Sequence, residues 1–501
     1  MTTSKPDLPL SGAEHRTEGA SRREVLVGAG GFAAAVAGLS MLVSTARAQR
    51  APRPHILYIM ADDLGYHDVG FHGSDIQTPN LDRLAAGGAK LEQFYAQPMC
   101  TPTRAAFLTG RYPLRYGLQT GVIPSGAAYG LATEEWLLPQ ALGEVGYHSA
   151  LIGKWHLGHG DGKYWPRQRG FDYFYGPLVG EIDHYTHEAH GVLDWYRNDR
   201  TVTERGYDTE LLGAEAVRLI DKHEPQTPLF LYLAFTAPHA PFQAPAAYLD
   251  RYAKIADPNR RAYAAMITAM DDQIGKVVDA LERRGMRDNT IILFHSDNGG
   301  TRSSVFTGEK PVAGAMPAQN TPFRDGKGTL YEGGTRVVAI ANWPGKIVPS
   351  EADGVMHVVD MMPTLARLAG ADLSKTKPLD GMDVWQALSA AHPSPRRQVI
   401  YNVEPSQGAL RRGPWKLHWL ATLPPKVELF NLDSDPSETT DLAAQHPDTV
   451  AELQAEVVKL AQSMAPPLFF MAALRLTLSY PPSTPRDALY ELGMTDHASS
   501  N

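Results

Sequence analysis

His55-Ile56-Leu57-Tyr58-Ile59-Met60-Ala61-Asp62-Asp63 opens the folded part of the chain, and it shows how the rest reads. A short, nearly continuous apolar run has the length and composition of a strand buried on both faces. Two adjacent carboxylates follow it directly. The pattern recurs downstream. Tyr147 to Ile152 reads as a strand with Lys154 just beyond it, Leu229 to Phe235 runs into Pro238-His239, and Thr290 to His295 ends at Asp297-Asn298. Helical segments lie between these strands. Thr78-Pro79 reads as a helix start that Gly87-Gly88 closes, and Tyr263, Met266, Ile267, Met270, Ile274, Val277, Val278 and Leu281 follow helical spacing along one amphipathic helix. Alternating strands and helices predict an α/β sheet. Ligands of open α/β sheets bind beyond the carboxyl ends of the strands. Polar residues at several strand ends therefore predict one site assembled from distant segments.

The texture changes after Trp385. Val399 to Val403, Trp415 to Leu420 and Val427 to Phe430 read as strands and Asp448 to Met464 as a helix, which predicts a smaller antiparallel sheet plus helix. The expected organisation is a large domain over 50–385, which carries those polar strand ends, and a smaller α+β subdomain with a Pro-rich tail over 386–501.

The chain of 501 residues is 43% hydrophobic and 20% charged, with a formal net charge of −8. A core of that size needs no disulfide to stay folded. The mild acidity argues against a nucleic-acid partner, which requires a basic face. An anionic substrate must then be attracted by cations clustered in a cleft. The single cysteine, Cys100, excludes an intramolecular disulfide. Such a cysteine ordinarily serves as a small buried hydrophobe, and its surroundings must decide otherwise.

Residues 1–48 read as an address rather than as part of the fold. Ser21-Arg22-Arg23-Glu24-Val25-Leu26 places two arginines before an apolar, Gly- and Ala-rich run to Ser44, and Ala46-Arg47-Ala48 supplies the small residues that signal cleavage needs. This resembles a twin-arginine export signal. The run is about long enough to be a membrane anchor, but its glycines and the cleavage site favour removal. The expectation is a periplasmic or secreted protein, folded before export and without stable membrane association.

Pro98-Met99-Cys100-Thr101-Pro102-Thr103-Arg104-Ala105-Ala106-Phe107-Leu108-Thr109-Gly110-Arg111 carries the functional reading. Pro102 suits a first helical turn. Cys100 then lies at or just before a helix N-terminus, where free amides favour anions, and Arg104 can point back to it from one turn on. Cys-x-Pro-x-Arg followed by Leu-Thr-Gly-Arg resembles the signature of type I sulfatases. Gly153-Lys154-Trp155-His156-Leu157-Gly158, Asp297-Asn298-Gly299-Gly300 and Glu332-Gly333-Gly334 extend the resemblance over most of residues 55–385, toward the arylsulfatase B-like, N-acetylgalactosamine-4-sulfatase-like branch. It implies an alkaline-phosphatase-like fold, with a large central mixed sheet flanked by helices. It also implies that a formylglycine-generating enzyme oxidises Cys100 to formylglycine (3-oxoalanine).

The carboxylates fit this reading. An Asp pair is usually an exposed turn, but Asp62-Asp63 follow an apolar strand, and adjacent buried carboxylates repel unless a cation lies between them. With Asp297 and the Asn298 carbonyl they form an oxygen set for a hard cation, Ca²⁺ before Mg²⁺. The resemblance assigns the same four residues to calcium and adds the modified Cys100. Asp271-Asp272, on the polar face of the long helix, reads as solvated by contrast. Lys154, His156, His239 and Lys327 would complete the site, Lys327 from the flexible Gly-rich loop Arg324-Asp325-Gly326-Lys327-Gly328. Any one of them alone would pass for a surface or core residue. His184, His187 and His190 have a spacing open to zinc, yet no cysteine accompanies them; lining a substrate pocket is the other reading.

The resemblance also implies a mechanism for hydrolysis of an aryl or carbohydrate sulfate ester. The hydrated aldehyde attacks sulfur with one hydroxyl, acidified by Ca²⁺, while Lys154 and Lys327 balance the sulfate charge and Arg104 orients the diol. His239, with Lys327, protonates the leaving oxygen. The second hydroxyl loses its proton toward His156 and sulfate is expelled. Two rivals stay open: a formylglycine-dependent hydrolase of phosphonate monoesters or phosphodiesters, and a non-enzymatic binder of sulfated polymers.

Overall fold

The run His55–Ala61 becomes the fifth strand of a mixed sheet of ten. The computed structural model describes residues 52–308 and 311–479. The expected export signal and the end of the Pro-rich tail lie outside these residues. In chain order the strands of the large sheet are β1 (His55–Ala61), β2 (Ala89–Leu91), β3 (His148–Gly153), β4 (Tyr173–Gly176), β5 (Tyr196–Arg197) and β6 (Arg200–Thr201). They continue with β7 (Leu229–Ala234), β8 (Thr290–Ser296), β9 (Ala339–Asn342) and β10 (Ser350–Ala352). Their spatial order is β10-β2-β9-β8-β1-β7-β3-β4-β5-β6. The middle of the sheet is parallel: β1 pairs with both β7 and β8, with Ile56 level with Phe230 and Ile291, and β7 pairs with β3. Antiparallel partners flank that middle, β9 against β8 and β5 against β4.

Alternation along β1 feeds two apolar cores. Ile56, Tyr58 and Met60 face one, while Leu57, Ile59 and Ala61 face the other. This is why the strand is apolar at nearly every position. The helices are α1 (Pro79–Ala86), α2 (Cys100–Thr109), α3 (Asp208–Lys222), α4 (Pro258–Arg283) and, near the end, α5 (Pro447–Ser463). α2 packs on the first face, where Phe107 stacks on Tyr58 at 3.8 Å between ring centroids. α4 covers the second with Tyr263, Met266, Ile267, Met270 and Ile274.

One expectation on α4 is wrong. Asp271 is fully buried, not solvated. Its Oδ1 accepts from Leu81 N (2.8 Å) and its Oδ2 from Asn80 N (3.0 Å), so it caps α1 from another helix. Thr78, the residue before α1, makes no cap with its side chain. Burial pushes the Asp271 carboxyl up to about 6. Asp272 does reach the surface, where it pairs with Arg251 at 3.2 Å.

The smaller sheet is a four-stranded antiparallel meander: β11 (Gln398–Val403), β12 (Gln407–Arg412), β13 (Trp415–Leu420) and β14 (Lys426–Asn431). β12 is a strand the sequence did not suggest. The two sheets share apolar core through Leu410, Leu417 and Leu429. A buried polar knot also joins them. Glu332 accepts from Tyr95 (2.8 Å), Tyr401 (2.7 Å) and Lys416 (3.0 Å). Among the described residues no single helix is long and apolar enough to cross a membrane, although the bent pair formed by α5 and Leu468–Arg475 passes by length and composition.

Candidate active site

Four neighbouring parallel strands deliver their polar ends to one place. Asp62 and Asp63 follow β1, Lys154 and His156 follow β3, His239 follows β7, and Asp297 and Asn298 follow β8. Cys100 is the first residue of α2, as its sequence context predicts. Lys327 arrives from the loop before Glu332. That loop is not loose: Lys327 is buried, its N–H donates to Gly300 O, and Asn320 ties Gly300 to Asp325.

The carboxylates and cations interleave. Lys154 Nζ lies 2.5 Å from Asp62 Oδ2 and Lys327 Nζ 2.8 Å from Asp63 Oδ2. Arg104 donates to Asp297 Oδ2 from Nη2 (2.7 Å) and Nε (3.2 Å), and from Nη1 to Lys154 O (3.2 Å). Cys100 Sγ lies 3.4 Å from Asp62 Oδ1. His239 Nε2 is 3.6 Å from Asp63 Oδ2, while its Nδ1 donates to Ala240 O at 2.6 Å. Asp63 itself sits in the left-handed region at φ 67°, held by an N–H bond to Asp297 Oδ1 and by Tyr263 OH on its carbonyl. Such a conformation costs about 1–2 kcal/mol for a non-glycine residue, and functional sites are where it is retained.

His156 is arranged as a proton acceptor. Its Nε2 faces Ile123 O at 3.2 Å, so Nε2 carries the proton, and Nδ1 is buried without a partner. Burial, then Lys154 and Arg104, hold its pKa well below the ordinary value, so the ring is neutral. Its loop is pinned by Thr101 Oγ1 on His156 O (2.9 Å). Gly180 makes room for the ring, because a Cβ there would collide with it at Cε1 and Nε2.

Electrostatics set the other protonation states. Burial, Asp297 and Asp62 push the Cys100 thiol far up, so it is a neutral thiol rather than a thiolate. Burial alone would raise Asp62, but Lys154, His239 and Arg104 outweigh it and keep the group ionised. Burial likewise weighs most heavily against charge on Lys154, but Asp62, Cys100 and Asp297 together outweigh it and the ammonium stays charged.

The donor set fits a cation. One ligand atom each of Asp62, Asp63, Cys100 and Asp297 lies within 4.8 Å of the others, all buried. Asn298 Oδ1 is buried without a hydrogen-bond partner, while its Nδ2 donates to Asp63 Oδ1 (2.8 Å) and Gly299 O (3.0 Å). An orphaned carbonyl oxygen beside three carboxylates is suited to be a further ligand. His184, His187 and His190 form no such group among the described residues. His184 is buried with both nitrogens bonded, and His187 is buried and stacks on Trp195 at 4.5 Å between ring centroids.

A buried cysteine at a helix start, ringed by three carboxylates, an arginine and two lysines, lies inside the segment that the sulfatase family model matches, residues 54–371. The chain belongs to the sulfatase family. Mouse arylsulfatase J is 36% identical over 490 residues, covering 87% of this chain and 78% of that protein. Rat N-acetylgalactosamine-6-sulfatase is 34% identical over 393 residues, covering 74% of this chain and 72% of its own. Among solved structures, that of Ps i-CgsB in complex with k-i-k-neocarrahexaose superposes with a TM-score of 0.77 at 32% identity, covering 87% of this chain and 99% of that one. The expected fold, a large mixed sheet with a small antiparallel one, is thus that of sulfatases, and the enzyme is a sulfuric ester hydrolase.

Sequence reasoning missed two parts of this sulfatase's site: the glycine beside His156 and the buried partners of His184. Gly180 follows no turn signal, and Asp208 reads locally as an ordinary acidic residue in a first helical turn.

Proposed function

We propose that this sulfatase hydrolyses a carbohydrate or aryl sulfate ester with a nucleophile made from Cys100 and a calcium ion held by Asp62, Asp63, Asp297 and Asn298. The observation that carries the reading is the burial of Cys100, as a neutral thiol, in contact with Asp62 at the centre of the cation-binding set. A protonated, enclosed thiol is poorly suited to attack on its own, which favours its conversion to formylglycine by a formylglycine-generating enzyme. When present, formylglycine and calcium supply an acidified hydroxyl for attack on sulfur and a second hydroxyl for release.

The chain's own residues do the remainder. Three carboxylates (Asp62, Asp63, Asp297) face three permanent cations (Arg104, Lys154, Lys327), so the set is balanced in itself. Lys154 and Lys327, which pair with Asp62 and Asp63 here, would be free to bind sulfate oxygens once those carboxylates held a cation. Arg104, fixed by Asp297, orients the group at position 100. His156 accepts a proton at Nδ1, and His239 donates one from Nε2 to the leaving oxygen. The relative solved with a neocarrahexaose favours a sulfated glycan over a simple aryl sulfate as the natural substrate.

Residues 1–48 are proposed as a cleaved twin-arginine signal that delivers the catalytic domain, 50–385, and its C-terminal subdomain to the periplasm or medium. The test of function is direct. Natively produced protein should release sulfate from nitrophenyl sulfate faster than it hydrolyses phenyl phosphonate, and mass spectrometry of the Cys100 peptide should show formylglycine. An unmodified thiol in fully active protein excludes this nucleophile; faster phosphonate turnover favours the rival hydrolase.

A further inference from the structure

We propose that His184 is a positioning residue for His239, held as an imidazolium between the Asp208 carboxylate and the backbone carbonyl of His239; the functional part of this inference rests on His239 being the leaving-group acid. His184 is fully buried. Its Nδ1 lies 2.9 Å from Asp208 Oδ2 and its Nε2 3.0 Å from His239 O. A carboxylate and a peptide carbonyl are both acceptors. A neutral imidazole has one N–H and would leave a lone pair against one of the two oxygens. Only the doubly protonated ring satisfies both.

The surroundings support that charge. Asp208 is fully buried at the start of α3, and among the described residues the cation paired with it is His184. Asp208 Oδ1 accepts from Thr209 N (2.5 Å) and Thr209 Oγ1 (3.1 Å), and Oδ2 also accepts from Thr236 Oγ1. The groups facing His184 are Asp208 from α3, the Tyr207 ring at 5.9 Å, Asp183 on its own loop, and His239 through its backbone. Burial opposes protonation of the ring most strongly, but Asp208, the His239 carbonyl and Asp183 together outweigh it and the pKa is raised above the ordinary 6.5.

The pair grips both ends of the turn that carries His239. Asp208 holds Thr236, whose carbonyl accepts from His239 N at 3.0 Å, and His184 holds the His239 carbonyl. The loop bearing His184 is itself fixed, since His184 N donates to Gln243 Oε1 (3.0 Å) and Gln243 Nε2 to Asp183 Oδ2 (2.7 Å). With its backbone clamped and Nδ1 bonded to Ala240 O, His239 can present only Nε2 to the site. Loss of the proton on His184 Nε2, or of the ring, frees that carbonyl and lets Nε2 of His239 drift.

The experiment uses the whole enzyme labelled with ¹⁵N at its histidine rings, with the His184 signals assigned from their loss in His184→Gln. Both ring nitrogens of His184 should carry protons at about pH 8, above the ordinary histidine value, and Asp208→Asn should convert the ring to a neutral tautomer. His184→Gln should slow hydrolysis of an alkyl sulfate about tenfold more than that of nitrophenyl sulfate, because only the poor leaving group needs the acid. A neutral His184 ring in the parent at that pH overturns the proposal. So do equal losses on the two substrates in His184→Gln when His239→Ala loses unequally. If His239→Ala itself loses equally, the acid role of His239 fails, and the ring protonation still decides whether the clamp exists. Should His184→Gln not fold, the His184 signals are assigned instead as those that change in Asp208→Asn, and their protonation in the parent decides between a charged and a neutral ring.

Discussion

Replacing Asp297 by Asn tests the cation site with little change in shape. The carboxylate accepts two bonds from Arg104 and one from Asp63 N, and all three can still find an amide oxygen or relax slightly. What changes is charge. The three carboxylates that face Arg104, Lys154 and Lys327 become two, so the unfilled site turns net positive. Ligand atoms in the set lie within 4.8 Å of one another. Two unit charges that far apart interact by about 3.5 kcal/mol at an effective dielectric of about 20, and a divalent ion doubles this to about 7. If rearrangement of Arg104 recovers half, calcium affinity still falls a few hundredfold, at about 1.4 kcal/mol per decade. Without metal, the variant also leaves the Arg104 guanidinium with Asp62, at 3.8 Å, as its one charged partner among the described residues. Breaking a buried pair costs about 3–5 kcal/mol, and the retained amide bond places the loss at about 3. The assay is calorimetric titration of chelator-stripped protein with calcium, alongside unfolding with and without the ion. Parent protein at a hundredfold excess over Kd should gain about 2.7 kcal/mol; the variant at the same concentration should gain almost nothing. Unchanged calcium affinity in Asp297→Asn, or a stripped parent that binds no divalent cation yet turns over at full rate, refutes the reasoning.

Cys100→Ser, with serine confirmed unmodified by mass spectrometry, should give no multiple turnover; sustained turnover would remove the two-hydroxyl mechanism. Gly180→Ala should lower kcat by about tenfold or more while the protein stays folded, since the new methyl overlaps the His156 ring and displaces it; unchanged kcat would deny His156 its role. Asp271→Ala should cost about 2–3 kcal/mol by denaturant unfolding, because two amides of α1 lose a buried carboxylate, with kcat unaffected. Glu332 is buried, which would raise its pKa, but Lys416, Arg336 and Arg411 hold it down to about 2 from an ordinary 4.5. A depressed carboxyl contributes stability above its unfolded value that is lost as pH falls through the folded one, here about 3 kcal/mol between pH 4.5 and 2. The stability gap between parent and Glu332→Gln should therefore shrink across that window, and a constant gap would exclude ionised Glu332 as its source.

The site was legible where residue type and local pattern suffice. Asp62, Lys154, His239 and Asp297 stand just past apolar runs, and a strand buried on both faces leaves few other residues polar. What failed was whatever depends on distant partners. Lys327 reads as mobile because glycines surround it, yet Gly300 and Asn320 fix its loop from elsewhere in the chain. Helical periodicity places Asp271 on a polar face, but cannot reveal that α1 docks its amides there. β12 escaped notice because Gly408 and two arginines interrupt its apolar pattern; Arg411 instead finds Tyr95 on the large body at 2.6 Å. Likewise, nothing within five residues of His184 announces Asp208.

The central place of β1 has a bearing on how the chain is made. It is the first strand of the sheet to leave the ribosome, and both its hydrogen-bonding edges belong to segments synthesised far later: Phe230 comes 174 residues after Ile56, and Ile291 later still. At about 5–20 residues per second the first edge waits roughly 10–35 s. For that interval an apolar strand with two open edges is a template for wrong pairing, and no nascent fragment holds more than part of the catalytic constellation. Activity therefore arrives all at once, late in synthesis, and an early truncation yields an aggregation hazard rather than a weak enzyme.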